Sequence, residues 1–328
     1  MMADAARAWT DRQLLEMEAH IRQIYIQAQA EITEKWRDYM ERTEPKLESL
    51  YNAYLSAPSD KKQETLQKYQ AALQNYTFKN KWYKNMVDET TYRLANTNEI
   101  AIKYINGQIP AIYATNFNFI DPDAKATGIN WTLRDEYTVR NMIMDTLPEK
   151  ELNYAKDMAW NRKQINSSIL QGILQGESIP KIARRLYPIV GRNQVAAVRT
   201  ARTTVTMAEN RGRQDRYEDY ESQGVVMSKV WIATPDNRVR DWHISMDGQE
   251  VGVEESFVDG LGQEVEFPGD PSAPPNTIYN CRCSMRSHII GIKQSNGSVK
   301  KISYSGDKPT MHARQIAEER ARRATQEG

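Results

Sequence analysis

Cysteine, glycine and proline are all scarce in this sequence, and each shortage narrows the class of protein. The two cysteines among 328 residues, Cys281 and Cys283, are too close in sequence to bridge each other comfortably. A secreted fold held together by disulfides is therefore excluded. The 16 glycines and 13 prolines fall below their usual combined share of roughly 12%. No glycine precedes Gly107, which favours long helices.

Long apolar runs are missing as well. No stretch of about 18 apolar residues occurs, so the sequence predicts no transmembrane helix and no membrane partner. The polar start from Met1 to Asp11 lacks the apolar core of a signal peptide. We therefore expect a protein that is made and used inside a cell, or carried inside a particle. The 17 tyrosines against 5 phenylalanines indicate an amphipathic apolar surface, typical of elongated helices or of proteins that work against partners.

The charges are segregated along the chain although they nearly cancel. The formal net charge of +1 by itself indicates neither a nucleic-acid binder nor a membrane-surface protein. Counted in segments, residues 1–180 carry −2, 181–216 carry +7, 217–280 carry −10 and 281–328 carry +6. The blocks therefore indicate either two surfaces that face each other or two different partners.

Patterning predicts an α+β protein, with a mainly α-helical N-terminal region followed by a smaller α+β C-terminal domain. Residues 1–106 are expected to form helices broken at Pro45 and Pro58, and residues 107–131 an irregular linker rich in turn formers. The helices suit packing or docking, and their narrow apolar seams leave a coiled coil open as an alternative. Residues 225–232 have the pattern of a strand with both faces largely covered, and residues 281–292 also have a strand pattern. Asn296-Gly297 predicts a hairpin turn after the second strand.

Four regions follow from this pattern. They are a helical docking or packing region at 1–130, a helical lead-in at 131–224, an α+β domain at 225–305 and a basic helical tail at 306–328.

Arginine is dense on a helix expected from Asn193 to about residue 222. The candidates for contact with nucleic acid are Arg199, Arg202, Arg211 and Arg213. Arg199 and Arg202 lie three apart and share a helix face. The alternative is that these arginines neutralise the neighbouring acidic block within the fold.

His243, Cys281 and Cys283 are the candidate metal ligands. On a strand the two cysteines point to the same side, and with the histidine they provide three ligands of a tetrahedral zinc site. Asp241 or His288 could supply the fourth. The alternative is core packing, since a free cysteine is among the most often buried residues and zinc sites usually have wider cysteine spacing. The only cofactor candidate is therefore zinc.

Sequence motifs of catalysis are lacking. The chain has no Walker motif, no Rossmann glycine fingerprint and no nucleophile elbow. A thiol–imidazole dyad of His243 with one of the cysteines would require a spatial meeting that the sequence does not establish. We assign no catalytic residue.

A dispersed set of residues occurs in the C-terminal half of the chain: Trp231, Asp236, Arg238, Arg240, His243, Asp247-Gly248, Phe257, the proline-rich 268–275 and Asn280-Cys281-Arg282-Cys283. This set resembles the C-terminal signature of the phage head morphogenesis, or minor capsid, family related to the Mu F protein. The upstream residues 169–176, Ser178, Ile182-Ala183, 201–204 and 208–210 resemble the helical lead-in of the same family. The resemblance covers roughly residues 150–285.

This resemblance implies a structural, low-copy protein of a tailed-phage or prophage head. Its expected partners are the portal protein, other head proteins of the capsid or scaffold, and packaged DNA. Its expected location is inside the head near the portal, and the host cytoplasm during assembly. The resemblance carries over no catalytic residue, and the alternatives are a phage-delivered effector enzyme, nuclease or toxin-like, and a DNA-binding protein.

Overall fold

The computed structural model describes residues 4–43, 45–77, 81–120, 124–125, 127–147, 150–151, 154–175, 177–234 and 238–302. The helices are α1 (Ala5–Thr43), α2 (Pro45–Ser56), α3 (Lys62–Thr77), α4 (Lys81–Phe117), α5 (Glu136–Thr146), α6 (Tyr154–Leu174), α7 (Ile179–Arg184), α8 (Tyr187–Ser222), α9 (Asp241–Ile244) and α10 (Pro275–Ile278). The strands are β1 (Val225–Ile232), β2 (Glu250–Gly252), β3 (Phe257–Val258), β4 (Glu264–Val265), β5 (Ser284–Lys293) and β6 (Val299–Lys301). The expected α+β class, with a helical N-terminal region, is confirmed.

Two compact units make up the chain. The sheet unit comprises Met1–Met17, Ile105–Glu149 and Arg199–Gly328, and the helical unit comprises Glu18–Tyr104 and Lys150–Val198. The predicted boundaries at 130/131 and 224/225 do not coincide with these units, because α1, α4 and α8 each contribute residues to both. The predicted basic tail at 306–328 lies outside the described residues.

The helical unit is built around an apolar stripe on α1. Its buried members recur at spacings of three and four, as one face of a helix requires: Ile21, Tyr25, Ala28, Ile32 and Trp36. Trp36 Nε1 donates to Thr90 Oγ1 of α4 at 2.8 Å. The tryptophan thus buries its ring without leaving its N–H unpaired.

Buried amide side chains fix the register of four helices in this unit. Tyr25 Oη donates to Asn98 Oδ1 at 2.6 Å, and Asn98 Nδ2 donates to Asn193 Oδ1 at 2.8 Å. Asn193 Nδ2 in turn donates to Asn161 Oδ1 at 3.0 Å. Any slip of α1, α4, α6 or α8 would leave buried polar groups unpaired, so this network specifies one arrangement.

The expectation of an irregular linker from residue 107 is wrong for its first part. Helix α4 continues through Gly107 and Pro110 to Phe117. The last segment of the helix buries Ile112, Tyr113 and Phe117. Their burial outweighs the cost of the backbone hydrogen bond that is lost at Pro110.

The sheet unit contains a four-stranded antiparallel sheet in the order β2-β1-β5-β6. Strand β1 lies in its interior, as its largely covered faces predicted, and pairs with β5 from Val225↔Ile292 to Ile232↔Ser284. The predicted hairpin turn at Asn296-Gly297 is confirmed, since Gly297 has φ +81° and β6 follows. None of the helices described above combines the length with the apolar composition that a membrane crossing requires.

Two aspartates organise the loops between β2 and β5. Asp259 accepts the backbone N–H groups of Leu261 and Gln263, and Asp270 accepts those of Glu266 and Ser272. These local bonds satisfy backbone groups that have no strand partner. The loop beside Asp270 passes so close to α8 that a Cβ on Gly269 would lie 2.9 Å from the backbone nitrogen of Met207.

Candidate metal centre

A polar stripe on α8 holds the segment that carries the two cysteines. Thr203 Oγ1 accepts the backbone N–H of Asn280 at 2.8 Å, and Thr206 Oγ1 donates to the carbonyl of Cys281 at 2.7 Å. The two threonines lie one helical turn apart, so consecutive turns of α8 bind consecutive residues of the segment.

The same stripe continues along α8 to the start of β5. Asn210 Nδ2 donates to the carbonyl of Cys283 at 3.2 Å, and Asn210 Oδ1 accepts the backbone N–H of Met285 at 3.1 Å. Arg213 Nη1 donates to the carbonyl of Met285 at 3.2 Å. Spacings of three, four and three between stripe residues 203, 206, 210 and 213 therefore match the path of residues 280–285.

Asn280 turns the chain into this segment from α10. It has φ +58° and is the one residue other than glycine with a positive φ in the described chain. Asparagine tolerates this left-handed conformation better than most residues do. The asparagine before the first cysteine thus has a backbone role.

Replacing Asn280 by valine is expected to lower the free energy of unfolding of the sheet unit by about 1–2 kcal/mol, whereas Asn280→Gly should be near neutral. Hydrogen exchange of the β5 amides would measure both changes. Asn276→Val is the matched control, because Asn276 is exposed and lies within α10. Equal losses in the valine and glycine variants at position 280 would contradict the backbone role.

His243 enters the same site from α9. Its side chain is 1% exposed, and its ring meets the Trp231 ring edge to face at 5.7 Å between centroids and 82° between planes. The backbone N–H of His243 donates to the carbonyl of Arg240 at 3.0 Å. This short helical turn and the buried indole fix the direction of the imidazole.

The structure brings the three predicted metal ligands together. His243 Nδ1 lies 3.6 Å from Cys281 Sγ and 3.5 Å from Cys283 Sγ, and the three ligand atoms all lie within 4.8 Å of one another. Both cysteines are buried, at 3% and 2% exposure.

The cysteines converge for a different reason from the one predicted. They precede β5, which begins at Ser284, so strand alternation does not direct them. Instead the backbone N–H of Cys283 donates to Cys281 Sγ at 3.4 Å, which closes a tight turn between them. A hydrogen bond from the Cys283 thiol, opposed by burial, lowers the pKa of Cys281, and donating that bond together with burial raises the pKa of Cys283.

Neither residue predicted as a fourth ligand belongs to the cluster. Asp241 is exposed at the start of α9, and His288 Nδ1 contacts Glu250 Oε1 at 2.6 Å near the sheet surface. Among the described residues, the candidate centre therefore has three ligand side chains.

The four predicted nucleic-acid arginines have different surroundings. Arg213 is buried and pairs with Asp4 at 2.6 Å and Glu209 at 3.6 Å, so the prediction that it contacts nucleic acid is wrong. Its charge is neutralised within the fold, because burying it unpaired would cost far more than pairing it.

The other three arginines lie closer to solvent. Arg211 pairs with Asp215 at 2.7 Å and lies 3.9 Å from Glu266, in line with internal neutralisation of the acidic block. Arg199 is exposed and Arg202 is half-buried. Contact of Arg199 and Arg202 with nucleic acid stays a prediction.

Lys229, in the middle of β1, is a buried charge that the sequence analysis did not single out. Its Nζ donates to Gln214 Oε1 at 3.1 Å and to the carbonyl of Glu266 at 2.9 Å, and lies 5.4 Å from the Phe257 ring centroid. Burial lowers the pKa of Lys229 to about 8. A lysine inside an otherwise apolar strand pattern was the available signal.

The stability of the sheet unit is expected to depend on pH through Lys229. The unfolded lysine has a pKa near 10.4, so between about pH 8 and 10.5 the unfolded chain binds more protons and this residue makes stability rise with pH. Urea unfolding of the wild-type chain and of Lys229→Met over this range would measure it. The free energy of wild type minus that of the variant should rise by up to about 1.4 kcal/mol per pH unit. Parallel profiles would contradict the pKa shift.

Comparison with known proteins identifies the region that contains this site. The model of the family described as phage Mu protein F like protein matches residues 163–286. Residues 163–286, hereafter the Mu F-like region, are therefore similar to this family. The expected resemblance is confirmed, and the Mu F-like region includes the α8 stripe, His243 and both cysteines.

Curated relatives share the Mu F-like region over part of their length. The minor head protein GP7 of Bacillus phage SPP1 is 29% identical over 147 residues, covering 43% of this chain and 47% of that protein. The NAD(+)–arginine ADP-ribosyltransferase EFV of Enterococcus faecalis is 29% identical over 146 residues, covering 44% of this chain and 29% of that protein. YqbB of Bacillus subtilis is 27% identical over 162 residues, covering 44% of this chain and 52% of that protein.

The chain thus spans between about a third and about half the length of the curated relatives it matches. Among these relatives, GP7 is named as a minor head protein, so the resemblance includes a phage head protein. No solved structure matches it significantly.

Proposed function

We propose that this chain is a structural minor head protein of a tailed phage or prophage, which associates with the portal inside the head and acts in procapsid assembly. One observation carries the structural rather than enzymatic role. The side chains best suited to catalysis in the Mu F-like region are each at most 3% exposed: His243, Cys281 and Cys283. A substrate has no access to them while the sheet unit is folded.

A face of α6 in the helical unit is suited to docking on the portal. Trp160, Leu170 and Leu174 are 38%, 39% and 59% exposed. At about 100° per residue, the three positions lie within about 80° of one another around the helix. Exposed apolar side chains grouped on one face favour a protein partner.

Binding of the purified full chain to portal rings tests this proposal. We expect wild type to bind, and Trp160→Glu with Leu174→Glu to reduce affinity at least tenfold. Val195→Glu, which adds one negative charge at an exposed apolar site of α8 in the same unit, is the control and should bind like wild type. Portal binding that is equal in all three proteins would remove the α6 face from the proposal.

Procapsids provide the test of the role itself. Particles assembled without this protein should package DNA poorly, and particles that contain it should show additional density beside the portal inside the head. Normal assembly and packaging in its absence would overturn the proposal.

The proposed contact with packaged DNA rests on two of the predicted arginines of α8, Arg199 and Arg202. Arg199 is exposed and Arg202 lies one turn further along α8. If they contact phosphates, DNA affinity should fall with added salt, and Arg199→Ala should make the salt dependence shallower by about one unit in the logarithmic plot. Arg213→Ala is unsuitable here because that residue is buried.

An effector enzyme is the second candidate, favoured by the relative named as an ADP-ribosyltransferase. The segment shared with it covers 29% of that protein. We expect no turnover of NAD+ and none of nucleic acid with divalent metal. Turnover that His243→Ala abolishes would overturn the structural assignment.

A further inference from the structure

We propose that His243 Nδ1, Cys281 Sγ and Cys283 Sγ bind one Zn2+ ion, with a water molecule as the fourth ligand. This goes beyond the proposed role in the phage head and does not depend on it. The proposal rests on the geometry of the three atoms, on the hydrogen-bonding capacity of the imidazole, and on charge balance in the core.

The distances between the ligand atoms match a tetrahedral zinc site. Zinc lies about 2.3 Å from a thiolate sulfur and about 2.0–2.1 Å from an imidazole nitrogen, and a tetrahedral angle then separates sulfur and nitrogen by about 3.5–3.6 Å. The structure has 3.6 Å from Nδ1 to Cys281 Sγ and 3.5 Å from Nδ1 to Cys283 Sγ. Both sulfurs therefore lie where one ion could bind them together with the nitrogen.

Hydrogen bonds alone explain the two nearly equal Nδ1–Sγ distances less well than a zinc ion does. A neutral imidazole nitrogen has either one lone pair or one proton in the ring plane, so Nδ1 can form one well-directed bond to a thiol. Its two sulfur neighbours are equally close. One of these contacts would be poorly directed in a set of thiols, whereas a metal ion on the lone pair serves both.

Charge balance also favours the ion. Two thiolates, one Zn2+ and a neutral imidazole sum to zero, so the complex can be buried without an uncompensated charge. Its surroundings are apolar, since the cysteines belong to the same core cluster as Trp231, Met246 and Phe257. Sulfur and imidazole ligands favour zinc over magnesium or calcium.

The surroundings of His243 Nε2 lower the affinity expected for zinc. His243 Nε2 would carry the proton when Nδ1 binds the ion, and it is buried without a hydrogen-bond partner among the described residues. Metal-bound histidines usually donate this proton to a carboxylate or a carbonyl, and loss of such a partner typically costs 10–100-fold in affinity. We therefore expect zinc binding to be weaker than in a four-ligand structural site.

Metal analysis of the full chain, purified without chelator, tests the proposal. We expect about one zinc per chain in wild type and less than a tenth of that in His243→Ala. His288→Ala is the matched control, because that histidine pairs with Glu250 outside the cluster, and it should retain the metal. Zinc that is absent from wild type, or lost equally from His288→Ala, would overturn the proposal.

His243→Cys keeps the test decisive if other variants fail to fold. A third thiolate can replace the imidazole as a zinc ligand, so this variant should retain zinc while His243→Ala does not. A chelator should lower the melting temperature of wild type and His243→Cys, and leave that of His243→Ala unchanged. Equal responses in all three would exclude zinc from this cluster and leave buried thiols in its place.

Discussion

Replacing Arg213 by methionine is expected to lower the free energy of unfolding of the sheet unit by about 3–5 kcal/mol. The guanidinium is buried, pairs with Asp4 and Glu209, and donates to Asn116 Oδ1 and to the carbonyl of Met285. Methionine fills a similar volume but leaves a fully buried Glu209 without its cation. Burial already raises the pKa of Glu209, and the Arg213 guanidinium opposes that rise.

Hydrogen exchange of the β1 and β5 amides would measure the loss. Arg199→Met is the matched control, since Arg199 is exposed on the same helix, and it should change stability by less than about 0.5 kcal/mol. The double variant Arg213→Met with Glu209→Gln should recover part of the loss, because it removes the unpaired carboxylate. A loss below about 1 kcal/mol in Arg213→Met would mean that the ion pairs add little beyond packing.

Gly269→Ala is expected to destabilise the sheet unit by about 2–5 kcal/mol. Two costs combine at this position. The backbone has φ +87°, which an alanine adopts with strain, and the added Cβ would lie 2.9 Å from the nitrogen and 3.0 Å from the Cα of Met207. Because the atoms it meets belong to the backbone of α8, no side-chain rotation relieves the overlap.

Gly262→Ala separates the two costs. Gly262 has φ +77°, but no atom beyond its chain neighbours lies within 4 Å of the position that a Cβ would occupy. Its replacement should therefore cost only the backbone strain, about 1–2 kcal/mol. Urea unfolding of both variants would give the difference, which we expect to be about 1–3 kcal/mol. Equal losses would show that the loop can move away from α8.

The elements with regular periodicity could be predicted from the sequence. The apolar stripe of α1, the buried strand β1 and the hairpin at Asn296-Gly297 all follow from local patterns that the structure confirms. For α4, the sequence predicts an end near residue 106, because Gly107 and Pro110 are turn formers. Burial of its last turns in a core formed by distant residues overrides that local preference.

The candidate site was predictable in its residues but not in its construction. The dispersed pattern identified His243, Cys281 and Cys283, yet the turn that joins the cysteines depends on one N–H···S bond. Arg213 looked like a surface residue because its neighbours in sequence are polar. Its partners Asp4 and Asn116 lie far away in sequence, and no local pattern reveals such pairs.

The order of synthesis gives the polar stripe of α8 a further consequence. The bonds from Thr203, Thr206 and Asn210 to the cysteine segment span 73 to 77 residues. A ribosome therefore releases α8 well before its partner exists, and contacts of such long range form slowly. Because the polar stripe consists of hydroxyl and amide groups, water can form hydrogen bonds with it until the cysteine segment is synthesised. An apolar stripe of the same length would expose the nascent chain to aggregation.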